Sequence, residues 1–417
     1  MQTRPRIIVV GGGFAGLSAV HALRHAAADV LLIDRFNHHT FQPLLYQVAT
    51  AGLAAPSIAA PLRHILRAQR NATVLLGAAR GIDITGKSVE VDGVSHPYDF
   101  LIVATGSTHA YFGHDEWARF APGLKTLDDA LSIRARILTA LERAEATIDP
   151  AEQMESLTFL IVGAGATGVE LAGTLAEIAR HTLKREFRRI DPAAAKVLLV
   201  EAGPRVLPAF PPSLSAKAQR QLERLGVLVR TGHAVTGVDG KGVWIGEERI
   251  AARTVLWAAG VAASPLGAAL GVPVDRAGRV RVTAGLSIPG HPEVFVIGDL
   301  AAVPEETGPV PAIAPAAKQM GRYAATAILA GLSGRRAGAF RYRHFGSLAT
   351  IGRMAAVVDF GRIRLSGLLA WWIWLTAHIY FLIGFRNRLV VLIDWAEAYW
   401  SYRRAARIII PVGKSEE

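Results

Sequence analysis

The sequence contains no cysteine among its 417 residues. This absence excludes a disulfide framework, a thiolate metal site and catalysis by a cysteine pair. Charged residues are also few, at 19% against 51% hydrophobic, and this balance excludes a disordered or collagen-like chain. No secretory signal opens the sequence, because the apolar run Ile7–Val10 is too short for one. We therefore expect two or three globular domains that are not exported by that route.

Negative charge is also scarce, and the formal net charge is +12. Such an excess suits nucleic acid, an anionic membrane or an anionic substrate. The sequence carries no zinc-finger spacing, RNP-type motif or metal-ligand constellation, so we expect no nucleic-acid partner and no metal. Aromatic and basic residues concentrate near the C-terminus, which favours an anionic membrane surface as the partner.

A glycine fingerprint follows the first apolar run. Gly11, Gly13 and Gly16 form a G-x-G-x-x-G pattern, a helical pattern comes next, and a second apolar strand ends at Asp34. Glycines at these positions allow a tight turn, close approach of a pyrophosphate and packing of the helix on the strand. The acid is placed to bind the hydroxyls of an adenosine ribose. The order of all these features predicts a dinucleotide site.

A second fingerprint lies about 150 residues further on. Gly163, Gly165 and Gly168 follow an apolar strand, and the next strand ends at Glu201. A carboxylate there repels a 2′-phosphate, which favours NADH over NADPH, although Arg205 close by weakens the exclusion. Two fingerprints predict two Rossmann-like units that hold two dinucleotides.

Three further segments resemble those of the flavoproteins with two dinucleotide-binding domains. They are Phe100–Gly106, which ends in Ala104-Thr105-Gly106, then Val255–Val261 with Ala259-Gly260, and Val294–Asp299 with Gly298-Asp299. In that family the last motif contacts the flavin. The resemblance implies an α/β fold of two Rossmann-like domains in a glutathione-reductase-like arrangement.

Two more segments and the tail resemble the type II NADH dehydrogenases, the single-subunit, non-pumping NADH:quinone oxidoreductases. Asn37–Ala49 resembles the loop after the ribose-binding acid, and Pro315–Gly321 resembles the start of the helix that faces flavin and quinone. Residues 367–410 resemble the family's C-terminal helical membrane-binding tail. The chain departs from the family motif A-Q-x-A-x-Q at Pro315, which replaces the first glutamine, while Gln319 retains the second.

The resemblance implies hydride transfer from NADH as substrate to non-covalent FAD, followed by two-electron reduction of a membrane quinone without proton pumping. The residues expected at the FAD are Gly11, Gly13, Phe14, Ala15, Gly16, Asp34, Arg35, Ala104, Thr105, Gly106, Gly298, Asp299 and Ala316. Those expected at NADH are Gly163, Gly165, Thr167, Gly168, Glu201, Ala259 and Gly260.

Three side chains are the candidates for the later steps. Glu170 and Gln319 are the catalytic candidates, and Gln47 and Gln319 the quinone candidates, because an amide N–H can donate to a quinone carbonyl. Glu170 is equally explained as an acid stabilised by the helix N-terminus. His38, His39 and His378 are weaker, since a lone histidine is more often structural than a ligand.

The C-terminal segment Leu368–Phe385 has no Asp, Glu, Lys or Arg, and five of the eight tryptophans lie between 371 and 400. A run of 18 residues is marginal for a transmembrane helix, for which about 20 are needed. A core helix of a soluble domain or a dimer contact is a second alternative. An interfacial pair of amphipathic helices with arginines on the headgroups, among them Arg403 and Arg404, is favoured. We therefore expect a peripheral protein on the cytoplasmic face of the inner (cell) membrane, and the resemblance implies a possible homodimer through this region.

The predicted domains place the nicotinamide domain inside the flavin domain. The FAD-binding domain comprises residues 1–115 and 285–345, a junction helix or linker 116–154, the NADH-binding domain 155–284 and the membrane-associating region 346–417. Two other functions stay open at this point. One is an NAD(P)H-dependent flavoprotein reductase with a protein acceptor, similar to a ferredoxin reductase, and the other a low-turnover redox sensor.

Overall fold

The computed structural model describes residues 4–183, 186–304, 310–401 and 406–409. The chain divides into two compact units. The first unit comprises Met1–His39, Ala60–Thr108 and Val261–Phe345, and the second comprises Thr40–Ala59, His109–Gly260 and Gly346–Glu417. The chain therefore leaves the first unit and returns to it twice. The predicted boundaries of the cofactor domains stay a prediction, and Arg403 and Arg404 lie outside the described residues.

The secondary structure alternates between strands and helices in both units. The α-helices of the first unit are Phe14–Ala22, Leu62–Ile65 and Ala314–Leu332. Those of the second unit are Leu45–Ala49, Ala55–Ile58, Leu127–Ala146, Pro150–Ser156, Ala166–Glu177, Pro212–Arg224, Leu368–Phe381 and Phe385–Ser401. Short 3-10 helices occur at Gln42–Leu44, Asp115–Arg119, Pro192–Ala194, Pro265–Leu270 and Gly298–Leu300, and a π-helical turn at Ile178–Thr182.

The first unit is built on a six-stranded sheet. In order its strands are Ser287–Ile288, His291–Val296, Phe100–Val103, Arg6–Val10, Asp29–Asp34 and Ala72–Leu76. All neighbours are parallel except the first pair. Val10 pairs with both Ile33 and Val103, so the carboxyl ends of these strands lie at one edge of the sheet. Ligands of such sheets bind outside that edge.

Shorter strands complete the first unit. They are the antiparallel sheet Ala79–Asp83, Ser88–Val91 and Val94–Pro97 and the parallel pair Val280–Arg281 and Ala301–Ala302. The short strands His38–Thr40, Ala59–Pro61 and Ser107–His109 lie where the chain passes from one unit to the other, and Val261–Ala263 begins the last segment of the first unit. The helices Phe14–Ala22 and Ala314–Leu332 pack so closely that a Cβ on Gly321 would lie 2.1 Å from the Ala15 carbonyl oxygen.

The second unit contains a parallel sheet of Val227–Thr231, Lys196–Glu201, Thr158–Val162 and Thr254–Trp257, in that order. An antiparallel sheet of Val235–Asp239, Gly242–Ile245 and Glu248–Ala251 shares its core, together with the aromatic side chains of Tyr111, Trp117 and Trp257. The expected junction helix is Leu127–Ala146. It begins with a capping box in which Thr126 and Asp129 exchange hydrogen bonds, and it packs against Leu45–Ala49.

The C-terminal part of the second unit starts with an antiparallel sheet of Ser347–Gly352, Ala355–Asp359 and Arg364–Ser366. The two tail helices follow: the first tail helix is Leu368–Phe381 and the second is Phe385–Ser401. Neither these nor any other helix in the described ranges has the length and hydrophobicity to cross a membrane. The predicted fold class, two Rossmann-like units and a C-terminal helical tail, is confirmed.

Candidate active site

The first glycine turn has a geometry that excludes side chains. Gly11 adopts φ +105°, and a Cβ there would lie 2.4 Å from the Ala104 carbonyl oxygen. A Cβ on Gly16 would lie 1.8 Å from the oxygen of Gly11. Gly13 has nothing within 4 Å on its Cβ side. The turn is therefore closed on the protein side and open at Gly13. An open glycine beside a helix N-terminus is the arrangement that binds a pyrophosphate in dinucleotide-binding units.

Asp34 lies at the end of the second strand and is fixed by backbone amides. Its Oδ2 accepts from the Gly12 N–H at 2.5 Å, and its Oδ1 accepts from the Phe36 N–H at 2.7 Å. Burial raises the pKa of Asp34, while these amide hydrogen bonds oppose the rise. Arg35 is exposed, and its guanidinium lies 4.9 Å from the centre of the Phe36 ring. The carboxylate is thus oriented before any ligand binds.

The other FAD candidates lie on the same unit. Thr105 follows the strand Phe100–Val103, and its buried hydroxyl has no hydrogen-bond partner in the described part of the chain. Asp299 accepts from the Ser107 hydroxyl at 2.9 Å. Gly298 has φ +73°, and Ala316 is buried in the first turn of Ala314–Leu332. The proline at 315 is compatible with this turn, where its missing N–H is not needed.

His39 also faces the first turn, although the sequence indicated only a weak candidate. It is 2% exposed, and its Nδ1 lies 2.9 Å from the Gly12 carbonyl oxygen. Burial lowers the pKa of His39 to about 4, so the neutral ring donates its Nδ1–H to Gly12. Its Nε2 is then a buried acceptor without a partner among the described residues. The Phe14 ring lies edge-on to His39 at 5.0 Å. Nothing in the sequence pattern distinguished this histidine from His38.

The second turn repeats the geometry of the first. Gly163 has φ +97°, and its Cβ would lie 2.5 Å from the Ala259 Cα, while a Cβ on Gly168 would lie 1.8 Å from the Gly163 oxygen. Gly165 is open on its Cβ side. Glu201 accepts from the N–H groups of Ala164 at 2.6 Å and Gly203 at 2.8 Å.

The remaining NADH candidates lie beside this turn. Thr167 is exposed on the first turn of the helix Ala166–Glu177. Gly260 has φ +153°, and its Cβ would meet the Phe112 ring at 2.7 Å. All seven NADH candidates, listed above, therefore belong to the second unit, as all the FAD candidates belong to the first.

Glu170 lies in the helix that begins at the second turn. Burial raises the pKa of Glu170 well above its usual range, and a backbone hydrogen bond from Thr350 opposes the rise. Thr350 belongs to the C-terminal sheet, which packs directly on this helix, because a Cβ on Gly173 would lie 1.6 Å from the Ile351 oxygen. Burial therefore favours the protonated form of this carboxyl group over the ionised form.

Gln47 is the quinone candidate of the second unit. Its Oε1 accepts from the Trp395 Nε1–H at 2.7 Å, and its Nε2 donates to the Tyr46 hydroxyl oxygen at 2.9 Å. Burial raises the pKa of Tyr46 well above its usual range, and the charge of Glu170 adds to the rise. Tyr46 and Trp395 were not expected here from the sequence.

Gln319 belongs to the first unit and holds a loop. Its Nε2 donates to the Arg343 carbonyl oxygen at 2.9 Å, and its Oε1 accepts from the Arg343 N–H at 3.0 Å. The second N–H of its amide remains for another acceptor.

The tail helices each have a buried and an exposed apolar face. Trp371, Trp374 and Trp395 are buried, whereas exposed apolar side chains include Leu368, Leu369, Trp372, Tyr380, Phe381, Phe385, Leu389, Leu392 and Ile393. Arg386 is exposed, but Arg388 donates to the carbonyl oxygens of Tyr380 and Leu382, both at 2.9 Å, and so caps the first tail helix. Burial lowers the pKa of His378 to about 4, and its ring contacts Phe41 edge-on.

Two glycine turns at the carboxyl ends of two parallel sheets, each with an amide-fixed acid, define an oxidoreductase class with two dinucleotide-binding units. Residues 5–321 match the family model for pyridine nucleotide-disulphide oxidoreductases, and residues 344–403 match that of the NDH2 C-terminal domain.

Comparison with individual proteins identifies the family within this class. The type II NADH:quinone oxidoreductase Ndh of Mycobacterium tuberculosis is 46% identical, covering 96% of this chain and 89% of its own length. A second type II NADH:quinone oxidoreductase of that organism, NdhA, is also 46% identical, covering 97% of this chain and 89% of its own length. The solved structure of NDH2 from Plasmodium falciparum in complex with NADH superposes with a TM-score of 0.89 at 22% identity, over 98% of this chain and all of the other. The chain belongs to the family of type II NADH:quinone oxidoreductases.

Proposed function

We propose that this protein is a peripheral-membrane NADH:quinone oxidoreductase that holds FAD non-covalently and reduces a membrane quinone by two electrons without pumping protons. The observation that carries the proposal is the pair of glycine turns with their amide-fixed acids, Asp34 and Glu201, on separate units. The names of the relatives of 46% identity support NADH as donor and quinone as acceptor.

The first turn is assigned to FAD, and its residues fit that group. The open side of Gly13 suits a pyrophosphate, which would lie at the N-terminus of Phe14–Ala22. Two buried atoms, Thr105 Oγ1 and His39 Nε2, have no hydrogen-bond partner in the described part of the chain. A bound cofactor would supply polar groups for them. A pyrophosphate carries only acceptors at neutral pH, so the acceptor His39 Nε2 suits a cofactor hydroxyl. Bound FAD supplies the two-electron carrier between the two substrates.

The second turn is assigned to NADH. Glu201 is oriented by two backbone amides toward the ribose position, and its charge disfavours a 2′-phosphate there. Arg205, whose positive charge opposes that of Glu201, donates through Nη2 to the Pro208 carbonyl oxygen at 2.9 Å. One N–H group of the guanidinium is thus held by its own loop.

Quinone reduction to quinol consumes two protons, and Glu170, Gln47 and Gln319 are the proposed residues for this step. Glu170 is proposed to hold a proton on its carboxyl, because burial raises its pKa. The amides of Gln47 and Gln319 each retain an N–H that can donate to a quinone carbonyl.

The tail is proposed to bind the cytoplasmic face of the cell membrane, with a homodimer through the same region as a further proposal. The exposed apolar face of the tail helices and Arg386 support an interfacial position. Glutamates in place of Trp372, Phe385 and Leu389 should move the protein to the soluble fraction while NADH still bleaches the flavin. Retention of this triple variant on anionic vesicles would contradict the assignment.

The experiment for the reaction is anaerobic mixing with NADH and then with a short-chain quinone, followed by flavin absorbance. Bleaching by NADH and recovery on addition of quinone are expected. A flavin that bleaches but is reoxidised by no quinone would overturn the proposal.

A further inference from the structure

The second tail helix reaches back to a residue far away in sequence. Trp395 is 7% exposed, and its indole N–H donates to Gln47 Oε1 at 2.7 Å. The two residues are 348 positions apart. Trp395 also packs on Trp374 of the first tail helix, with ring centres 5.4 Å apart. The contact therefore joins the tail to the loop that carries a proposed quinone ligand.

The chemistry of the indole decides which way the Gln47 amide points. An indole N–H is a donor only, so the atom facing Trp395 must be the amide oxygen. The amide nitrogen then faces the Tyr46 hydroxyl oxygen, at 2.9 Å. A flipped amide would place an N–H group against the indole N–H and leave both donors unsatisfied in a buried place.

This orientation has consequences for the two side chains beside Trp395. The second N–H of Gln47 is the one group of its amide that remains for a ligand carbonyl. Tyr46 accepts from Gln47 and is 3% exposed, so its own hydroxyl proton takes no part in this contact. Without the indole N–H, the amide can rotate and exchange its donor for its acceptor.

We infer that Trp395 is a positioning residue for quinone reduction, which holds the Gln47 amide with an N–H presented to the quinone carbonyl. The inference rests on the proposed function, in which Gln47 contacts the quinone. It makes the tail a part of the acceptor site as well as a membrane anchor, because removal of the second tail helix removes the donor that orients Gln47.

Trp374 supplies a matched control. It is 2% exposed and belongs to the same aromatic stack, yet its indole N–H has no hydrogen-bond partner within the described residues. Trp395→Phe and Trp374→Phe therefore make the same chemical change in neighbouring places. They differ in whether a hydrogen bond is lost.

The test measures quinone and NADH half-reactions separately on the full-length holoenzyme in anionic vesicles. Trp395→Phe should raise KM for a short-chain quinone about 3- to 10-fold, as expected for one lost hydrogen bond. Flavin bleaching by NADH and vesicle binding should be unchanged. Trp374→Phe should match the wild type in all three measurements.

A double-mutant cycle with Gln47→Leu distinguishes positioning from general packing. In that background Trp395→Phe should have no further effect on the quinone KM, because the amide that it orients is gone. If Trp395→Phe yields no folded protein, benzothienylalanine at position 395 replaces only the N–H by sulfur and keeps the shape of the ring.

Three results would overturn the inference: an unchanged quinone KM in Trp395→Phe, an equal rise in Trp374→Phe, or an additive rise in the Gln47→Leu background. The failure of the proposed function looks different, because there the wild-type flavin is not reoxidised by quinone at all.

Discussion

The two glycine turns have the same backbone geometry but differ in the burial of the residues around them. In each, the acid accepts from the N–H of the residue after the first glycine, Gly12 at 2.5 Å and Ala164 at 2.6 Å. Around the first turn, the buried His39 bonds to Gly12 and Phe14 packs on it. At the second turn, the residues between the last two glycines, Ala166 and Thr167, are exposed.

This difference in burial is consistent with one backbone motif that binds two kinds of ligand. The middle glycine is open in both turns, so the difference lies in the residues beside it. Buried polar atoms without partners in the described part of the chain, as at the first turn, suit a cofactor that stays bound, whereas exposed residues suit a substrate that enters and leaves in each cycle. The helices that follow the turns also differ, since Glu170 in the second corresponds in position to Ser18 in the first.

The largest effects are expected from filling the turns themselves. An added Cβ at Gly16 or Gly168 would lie 1.8 Å from a backbone oxygen. Gly16→Ala should therefore yield folded protein without flavin, whereas Gly168→Ala should retain flavin that NADH does not bleach. Flavin content and anaerobic bleaching measure the two losses. Gly338→Ala, where nothing lies within 4 Å, is the control. Loss of flavin in Gly168→Ala as well would remove the distinction between the turns.

Glu170→Gln should slow flavin reoxidation by quinone about 100-fold, the lower range for a lost proton donor. Since burial raises the pKa of Glu170, the wild-type rate should fall as pH rises through that pKa, and the variant should lack this limb. Stopped-flow reoxidation across pH is the measurement, and Ser18→Ala is the matched control on the other helix. An unchanged rate and an unchanged pH profile would leave Glu170 a structural acid.

Glu201→Gln should change nucleotide preference without loss of flavin. Removal of the charge that opposes a 2′-phosphate should raise the ratio of kcat/KM for NADPH to that for NADH about tenfold. Steady-state rates with both nucleotides measure this ratio. Glu223→Gln, on an exposed helix face of the same unit, serves as the control. An equal ratio of kcat/KM for NADPH to that for NADH in the two variants would mean that Glu201 does not contact the ribose.

The smallest effect is expected at His39, which bonds to the first turn. His39→Leu should raise the dissociation constant of FAD about 3- to 10-fold, as expected for one hydrogen bond, and His38→Leu should not. Flavin fluorescence during dilution measures the release. Equal affinities in the two variants would show that the partnerless Nε2 does not contact the cofactor.

The same histidine predicts a pH dependence of stability. The pKa of His39 is lowered from 6.5 to about 4, so its contribution is present above pH 6.5 and is lost as pH falls toward 4. His39→Leu should therefore flatten the decline of Tm with pH in this window. His378, lowered to about 4 as well, should add to the decline in the same window.

The local sequence pattern was enough to predict the strands, the glycine turns and the acids that follow them. The predicted strand Ile7–Val10 is Arg6–Val10 in the structure, the strand ending at Glu201 is Lys196–Glu201, and the expected junction helix is Leu127–Ala146. Apolar runs bounded by glycine and an acid constrain the chain within about 30 residues, a span over which a βαβ unit forms.

Contacts between distant segments were beyond the reach of such patterns. Gly173 and Gly321 look like ordinary helix glycines, yet each admits a neighbouring backbone that a methyl group would block. His39 resembles His38 in sequence, and only burial against Gly12 separates them. The prediction that tail arginines face headgroups is also incomplete, because Arg388 caps a helix instead.

The sequence by itself determined two dinucleotide turns, their acids and the family, since these depend on backbone conformations that only glycine permits and on residues near each other in the chain. Tertiary structure alone decided that the tail reaches Gln47 through Trp395, that a C-terminal sheet packs on the helix of Glu170, and that a buried His39 bonds to the first turn. The reason is physical: hydrogen-bond partners and desolvation depend on distances in space, and no sequence spacing encodes a contact across 348 positions.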